Sequence, residues 1–256
     1  MIFGCKYGKT FCKFKFVCYY ICMENKRNIG FKVFATVLFA AAVFGMFGYI
    51  CFVGDLEGQK LTFSCIVVSF LFSLVFVKFT AKKLFITLAL AFHVVADCFL
   101  MLLASEENRL MGLAFFCVAQ FFYLLFTLGL TKSKGIRIVN VAIRVVLCLL
   151  AYFIIPQYFP DLGVLEMTSV MYIINSFVTL LSLLICIKTQ WLTFFGYLLF
   201  FACDIFLGLT MGMGILGITG SFADLLLSYP FSTYFYVPGV FLIAASSVWA
   251  KPIHKN

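Results

Sequence analysis

The sequence predicts an all-α integral membrane protein with eight transmembrane helices, and three observations predict it. Of 256 residues, 64% are hydrophobic and 11% charged, with mean hydropathy +1.13, whereas a soluble domain is about half apolar and about a quarter charged. No single core hides that much apolar surface, so lipid must be the solvent for much of it. The apolar residues also gather into eight stretches near the roughly 20 residues that a helix needs to cross the hydrocarbon core: 33–53, 61–79, 84–104, 111–130, 136–155, 164–187, 192–215 and 233–250. Finally, the interruptions between them alternate in charge.

Residues 1–32 carry Lys6, Lys9, Lys13, Lys15, Lys26, Arg27 and Lys32. Their apolar run 14–22 is broken by Lys15, is too short to span and is followed by no small-residue cleavage site. They read as a basic cytoplasmic extension, residues 33–250 as the membrane domain, and 251–256 as a short basic cytoplasmic tail. The spans are then separated by Gly54-Asp55-Leu56-Glu57-Gly58, Lys82-Lys83, Ser105-Glu106-Glu107-Asn108-Arg109, Lys132-Ser133-Lys134-Gly135, the segment from Pro156 to Gly163, Lys188-Thr189-Gln190, and a last loop holding Asp224. The N-terminus, the Lys78/Lys82/Lys83, Lys132/Lys134/Arg137 and Lys188 loops and the Lys251/Lys255 tail are basic. The alternate loops hold Asp55, Glu57, Glu106, Glu107, Asp161, Glu166 and Asp224, with Lys60 and Arg109 as their basic residues. This is the positive-inside pattern, with both termini cytoplasmic. It accounts for the net charge of +9 as charge set against anionic lipid, and so argues against a nucleic-acid partner.

Eleven cysteines, mostly inside apolar runs and with no C-x-x-C pair, read as small apolar fillers rather than a disulfide framework. With His93 and His254 as the only histidines, no zinc site and no other cofactor is expected.

An ionisable residue at the centre of a span costs about 2.5–3.5 kcal/mol on insertion scales and usually marks function. Asp97 lies in the third span, Asp204 in the seventh and Arg144 in the fifth. His93 sits one turn before Asp97 on the same helix face, placed to hydrogen-bond or tune it. Thr168, Tyr172, Asn175, Thr179 and Ser182 form a polar stripe on the sixth span. Asn140 lies one turn from Arg144, and Gln120 shares a face with Tyr123. Together these residues suggest a polar interior pocket. Asp97-Cys98-Phe99-Leu100 is echoed by Asp204-Ile205-Phe206-Leu207, each in the third span of a four-span half. An even number of spans per half makes the halves parallel repeats about an axis along the membrane normal, which would bring the two aspartates toward one shared site.

Several short runs carry a resemblance. Ala96-Asp97-Cys98-Phe99-Leu100-Met101 is followed by Gly112-Leu113-Ala114-Phe115-Phe116 and Gln120-Phe121-Phe122-Tyr123. Cys203-Asp204-Ile205-Phe206-Leu207 follows Gly196 and Phe200, and Tyr236-Val237-Pro238-Gly239 leads to Leu242-Ile243-Ala244. Over roughly residues 30–250 the chain resembles the YhhN family of membrane proteins, whose characterised members are lysoplasmalogenases. The family's runs are like G-D-x-x-L-M, G-L-x-x-F, H-x-x-Y and S-D-x-x-L. Here Ala96 stands for the first glycine, Gln120 for the histidine, and Leu61 follows Lys60 where the family has Lys-Pro.

The resemblance implies a membrane-embedded hydrolase that cleaves the vinyl ether of a lysoplasmalogen, taken from the bilayer, to a fatty aldehyde and a glycerophospho-head group. Asp97 and Asp204 are then the catalytic pair, one as proton donor and one as ionised partner, as in the paired carboxyls of glycosidases. His93 tunes Asp97, Arg144 or Lys60 holds the phosphate, and Gln120, Tyr123, Tyr172 and Asn175 line the substrate pocket. The expected location is a bacterial plasma membrane, or the endoplasmic reticulum of a eukaryote. The alternative is a proton-coupled transporter of a small or lipid-like solute, which parallel repeats with midplane carboxyls also fit; against it, neither half is expected to have a broken helix around its aspartate. A third reading makes the aspartates helix clamps only. A serine hydrolase lacks support, since Gly217-Ile218-Thr219-Gly220-Ser221 is not G-x-S-x-G.

Overall fold

The computed structural model describes residues 29–51, 55–76, 81–103, 105–131, 133–216, 220, 224 and 231–249. The extension up to residue 28, the tail 251–256 with His254, and Lys78 and Lys132 lie outside the described residues. Among the described residues every regular element is helical: α1 (Ile29–Ile50), α2 (Asp55–Phe76), α3 (Ala81–Asp97), α4 (Glu106–Leu130), α5 (Lys134–Tyr158), α6 (Val164–Ile185), α7 (Ile187–Leu216) and α8 (Phe231–Trp249). Each of the eight is long and apolar enough to cross a membrane, which makes this a multi-pass helical membrane protein.

The helices outrun the apolar stretches at several ends, because helical geometry continues into polar flanks wherever no residue forbids it. α1 starts at Ile29, inside the segment read as extension, and Thr36 Oγ1 bonds back to Lys32 O at 2.7 Å. α4 starts at Glu106 because Ser105 caps it, its hydroxyl accepting from Asn108 N at 3.3 Å. α5 runs through Pro156 to Tyr158, so this proline lies in the helix rather than opening the break. Proline costs a membrane helix one donor, which neighbouring groups can replace.

One expectation is corrected outright. Directly after Asp97, α3 passes into a π-helical turn, Cys98–Leu102, closed by Leu103 N donating to Cys98 O at 3.0 Å. The wider turn brings Leu100 onto Gly112 of α4, where an added Cβ would lie 2.6 Å from Leu100 Cγ and 3.1 Å from Ala96 O. With no Pro or Gly in Cys98–Leu102, local propensity gave no sign of it. α7 is also interrupted, at Gln190 (φ −125°, ψ 32°), well before Asp204.

The chain divides into two compact units, Met1–Leu38 and Phe39–Asn256. Of the first, the described residues are 29–38, all helical. In the second, α2, α3, α4, α6, α7 and α8 pack in a closed succession, each on the next and α8 back onto α2. From the later turns of α1, Phe39 stacks on Phe72 of α2 (ring centroids 4.1 Å apart) and Phe241 of α8 (4.8 Å). α8 is the most enclosed helix, buried almost continuously from Tyr236 to Val248. Lys83 Nζ, at the start of α3, donates to Ser247 O near the end of α8.

α7 and α8 meet backbone to backbone. A Cβ on Gly196 would come within 2.8 Å of Ile243 N and 2.9 Å of Gly239 O, and one on Gly239 within 2.9 Å of both Gly196 O and Phe200 N. Small residues at such crossings are how membrane helices gain close packing when lipid removes the hydrophobic drive between them.

α5 is attached differently. Most of its side chains are exposed, yet Arg144 is only 4% exposed. Its Nε donates to Asn140 Oδ1 (3.1 Å), Nη1 to Asn175 O (3.0 Å) and Oδ1 (3.3 Å), and Nη2 to Thr179 Oγ1 (3.0 Å). Asn140 Nδ2 also donates to Ser182 Oγ. The polar stripe of α6 is thus largely a seam holding α5. Interhelical hydrogen bonds in membranes average about 0.6 kcal/mol, so Arg144→Met, which removes three bonds to α6, is expected to cost about 2 kcal/mol, read as a lower unfolding temperature in detergent.

Candidate active site

Asp97 lies at the end of α3, where the helix widens, and is 1% exposed. Its Oδ2 accepts from the Tyr236 hydroxyl of α8. Asp204, on α7, is half-buried; its Oδ2 accepts from the Tyr172 hydroxyl of α6 at 2.9 Å. The two carboxyls lie near enough to interact electrostatically with each other, and both act on Cys203. A carboxylate without water needs donors aimed at it, and here each takes a phenol from a different helix.

Aromatic rings connect the two carboxyl–phenol pairs. Tyr236 packs on Phe200 (5.6 Å between centroids), Phe200 on Phe116 (6.3 Å), and Phe116 on Tyr172 (5.9 Å). His93 fills the middle, edge-on to Phe116 (4.9 Å) and Phe200 (4.7 Å). The expected His93–Asp97 hydrogen bond is absent. Among the described residues neither ring nitrogen of His93 has a partner, because the ring is turned into the aromatic cluster instead of along its own helix face.

Gln120 of α4 donates from Nε2 to Ser176 Oγ of α6 (2.8 Å) and accepts at Oε1 from the Tyr197 hydroxyl of α7 (2.6 Å). Hydrogen bonds through Gln120 thus join α4 to α6 and α7, while Thr179, on α6, belongs to the Arg144 seam. Tyr123 is fully buried beside Tyr197 (5.0 Å) with its hydroxyl unpartnered among the described residues.

The family model described as the YhhN family matches residues 59–247, close to three quarters of the chain. The chain belongs to the YhhN family. No curated protein and no solved structure matches it.

The YhhN match spans all nine site residues expected from the sequence. The structure gathers Asp97, Asp204, His93, Gln120, Tyr123 and Tyr172 around one interior. Asn175 and Arg144 bind each other across the α5–α6 seam, and no acidic side chain is among the hydrogen-bond partners of Arg144 given above. Lys60 is exposed near the start of α2. Tyr236, Tyr197, Ser176, Phe116 and Phe200 were missed as site residues. Phe116, Phe200 and Tyr236 sat inside the family-like runs, but an aromatic in an apolar span carries no mark of which way it faces.

The two phenols make a prediction for this YhhN protein. Removing a partner from a buried polar group costs about 1–3 kcal/mol. Tyr236→Phe leaves sealed Asp97 short of a donor, whereas at half-buried Asp204 water replaces the phenol after Tyr172→Phe. Thermal unfolding in detergent is expected to show the larger loss for Tyr236→Phe.

Proposed function

We propose that this protein is a membrane-embedded hydrolase that cleaves the vinyl ether of a lysoplasmalogen drawn laterally from the bilayer. The observation that carries the reading is the pair Asp97 and Asp204: two intramembrane carboxyls, each held by a tyrosine hydroxyl, differing in exposure and sharing one aromatic-walled interior. Membership of the YhhN family, whose characterised members are lysoplasmalogenases, supports it. A vinyl ether hydrolyses by protonation at carbon to an oxocarbenium ion, addition of water and collapse of the hemiacetal. One carboxyl in its acid form delivers the proton, and the other, ionised, stabilises the cation and orients water. The rings of Phe116, Phe200 and Tyr236 offer apolar and π surface to the alkenyl chain and the developing positive charge. Lys60, exposed near the start of α2, is a cation available to the phosphate, while Arg144 holds α5 in place.

With it go parallel halves with both termini cytoplasmic, in a bacterial plasma membrane or the endoplasmic reticulum of a eukaryote. Packing supports the repeat: α2 on α3 and α3 on α4 are matched by α6 on α7 and α7 on α8, and α4 on α6 by α8 on α2. The Lys83–Ser247 bond supports the orientation by joining two ends read as cytoplasmic.

A proton-coupled carrier is the second reading, favoured by the π turn beside Asp97, since carriers use irregular helices at midplane carboxyls. Purified protein in mild detergent, offered lysoplasmenyl-ethanolamine and lysoplasmenyl-choline, is expected to release fatty aldehyde. A folded protein that releases none, and that moves protons with a solute across liposomes, is a carrier.

A further inference from the structure

Three buried polar atoms at the centre of the site are unpartnered among the described residues: Nδ1 and Nε2 of His93 and the hydroxyl of Tyr123. The side chains are 1% and 0% exposed. They are neighbours on α3 and α4, with ring centroids 5.7 Å apart and planes at 64°, and His93 stands one turn from Asp97. A buried donor or acceptor left unpaired is costly to a folded protein, so these groups, on two side chains in ring contact, require a partner.

The surrounding rings cannot supply it. Phe116 and Phe200 stand at 76° and 86° to the imidazole, so a phenyl face can accept one N–H weakly. A neutral imidazole also carries a lone pair, which needs a donor, and the phenol needs a partner of its own. One small group that both donates and accepts meets these needs together. Water and an alcohol hydroxyl are the two chemistries that do so.

We infer that His93 and Tyr123 hold the water that adds to the oxocarbenium carbon, in a pocket adjoining Asp97. This rests on the hydrolase reading. The carboxylic acid gives its proton to the alkenyl carbon remote from the ether oxygen, and the double-bond electrons form the new C–H bond. The held water adds through its lone pair to the carbon bearing the ether oxygen and loses a proton to the carboxylate. The hemiacetal C–O bond to glycerol then breaks, the glycerol oxygen takes a proton, and the remaining O–H loses one to give the aldehyde. One water is consumed and nothing is oxidised or reduced overall. His93 and Tyr123 are catalytic residues in this scheme, because they touch a reactant.

The test is a double-mutant cycle, Tyr123→Phe, His93→Phe and both, read by kinetics on lysoplasmenyl-ethanolamine and by thermal unfolding. Each single variant is expected to lower kcat by about 10- to 100-fold with KM unchanged, and the double variant to be no worse than the poorer single. His93→Gln, which keeps a donor and an acceptor, is expected to recover part of kcat. The unfolding cycle is expected to be non-additive, because either change releases the same bound molecule. A raised KM with kcat kept would place a glycerol hydroxyl in the pocket and overturn the water assignment. Additive gains in unfolding temperature would show three dry, strained groups and overturn the pocket altogether. If wild-type protein releases no aldehyde, the hydrolase reading fails and the reactant role fails with it, while the unfolding cycle still decides whether the two side chains share a bound molecule.

Discussion

Asp97→Asn and Asp204→Asn are each expected to lower aldehyde release by about 10²–10⁴-fold, the usual contribution of a positioned proton-transfer group. Asparagine keeps the shape of aspartate and an oxygen that accepts from Tyr236 or Tyr172, so the phenol anchors survive. It loses the proton that the alkenyl carbon must receive and the negative charge that the cation must face. Unfolding temperatures close to wild type, measured beside the rates, separate this loss from misfolding. The double variant is expected to be little worse than the poorer single, because groups acting as one unit are not additive. Turnover within a few-fold of wild type in folded Asp204→Asn would remove Asp204 from the chemistry and leave a helix clamp.

Gly239→Ala, like Gly196→Ala at the same crossing, is expected to be among the most damaging single-carbon changes. The added methyl would meet Gly196 O and Phe200 N, each at 2.9 Å. Both are backbone atoms of α7 that cannot swing aside, so the two helices must separate. Overpacking of this kind costs about 1–3 kcal/mol. It also reaches the site, because Tyr236 lies one turn before Gly239 and anchors Asp97, while Phe200 lies on the helix being displaced. Lower unfolding temperature together with lost aldehyde release is expected. An alanine variant with wild-type melting would mean that the α7–α8 crossing yields more readily than its backbone contacts imply. Gly45, where an added Cβ meets nothing within 4 Å, serves as the control position for the same substitution.

The eight helices were legible because a span is a local property: some twenty apolar residues suffice, whatever they pack against. The aspartates were legible for the same reason, since a charge amid apolar neighbours stands out in one dimension. What a polar residue faces is another matter. Thr168, Tyr172, Asn175, Thr179 and Ser182 read as one stripe, yet Tyr172 turns to Asp204 while Asn175, Thr179 and Ser182 bind α5. His93 and Asp97 share a helix face by spacing, yet the imidazole seats itself among Phe116, Tyr123 and Phe200.

The sequence by itself determined that this chain is a multi-pass helical membrane protein of the YhhN family, and that Asp97 and Asp204 are its conspicuous intramembrane acids. Composition, periodicity and short motifs are all properties of neighbouring residues. Only the tertiary structure decided that Tyr236 and Tyr172 are the partners of those acids, that α3 opens into a π turn after Asp97, and that Arg144 serves the α5–α6 seam. Each of these depends on which residue of a distant helix arrives opposite. That is settled by packing at crossings such as Gly196–Gly239, where what counts is the absence of a side chain, and apolar patterning does not record it.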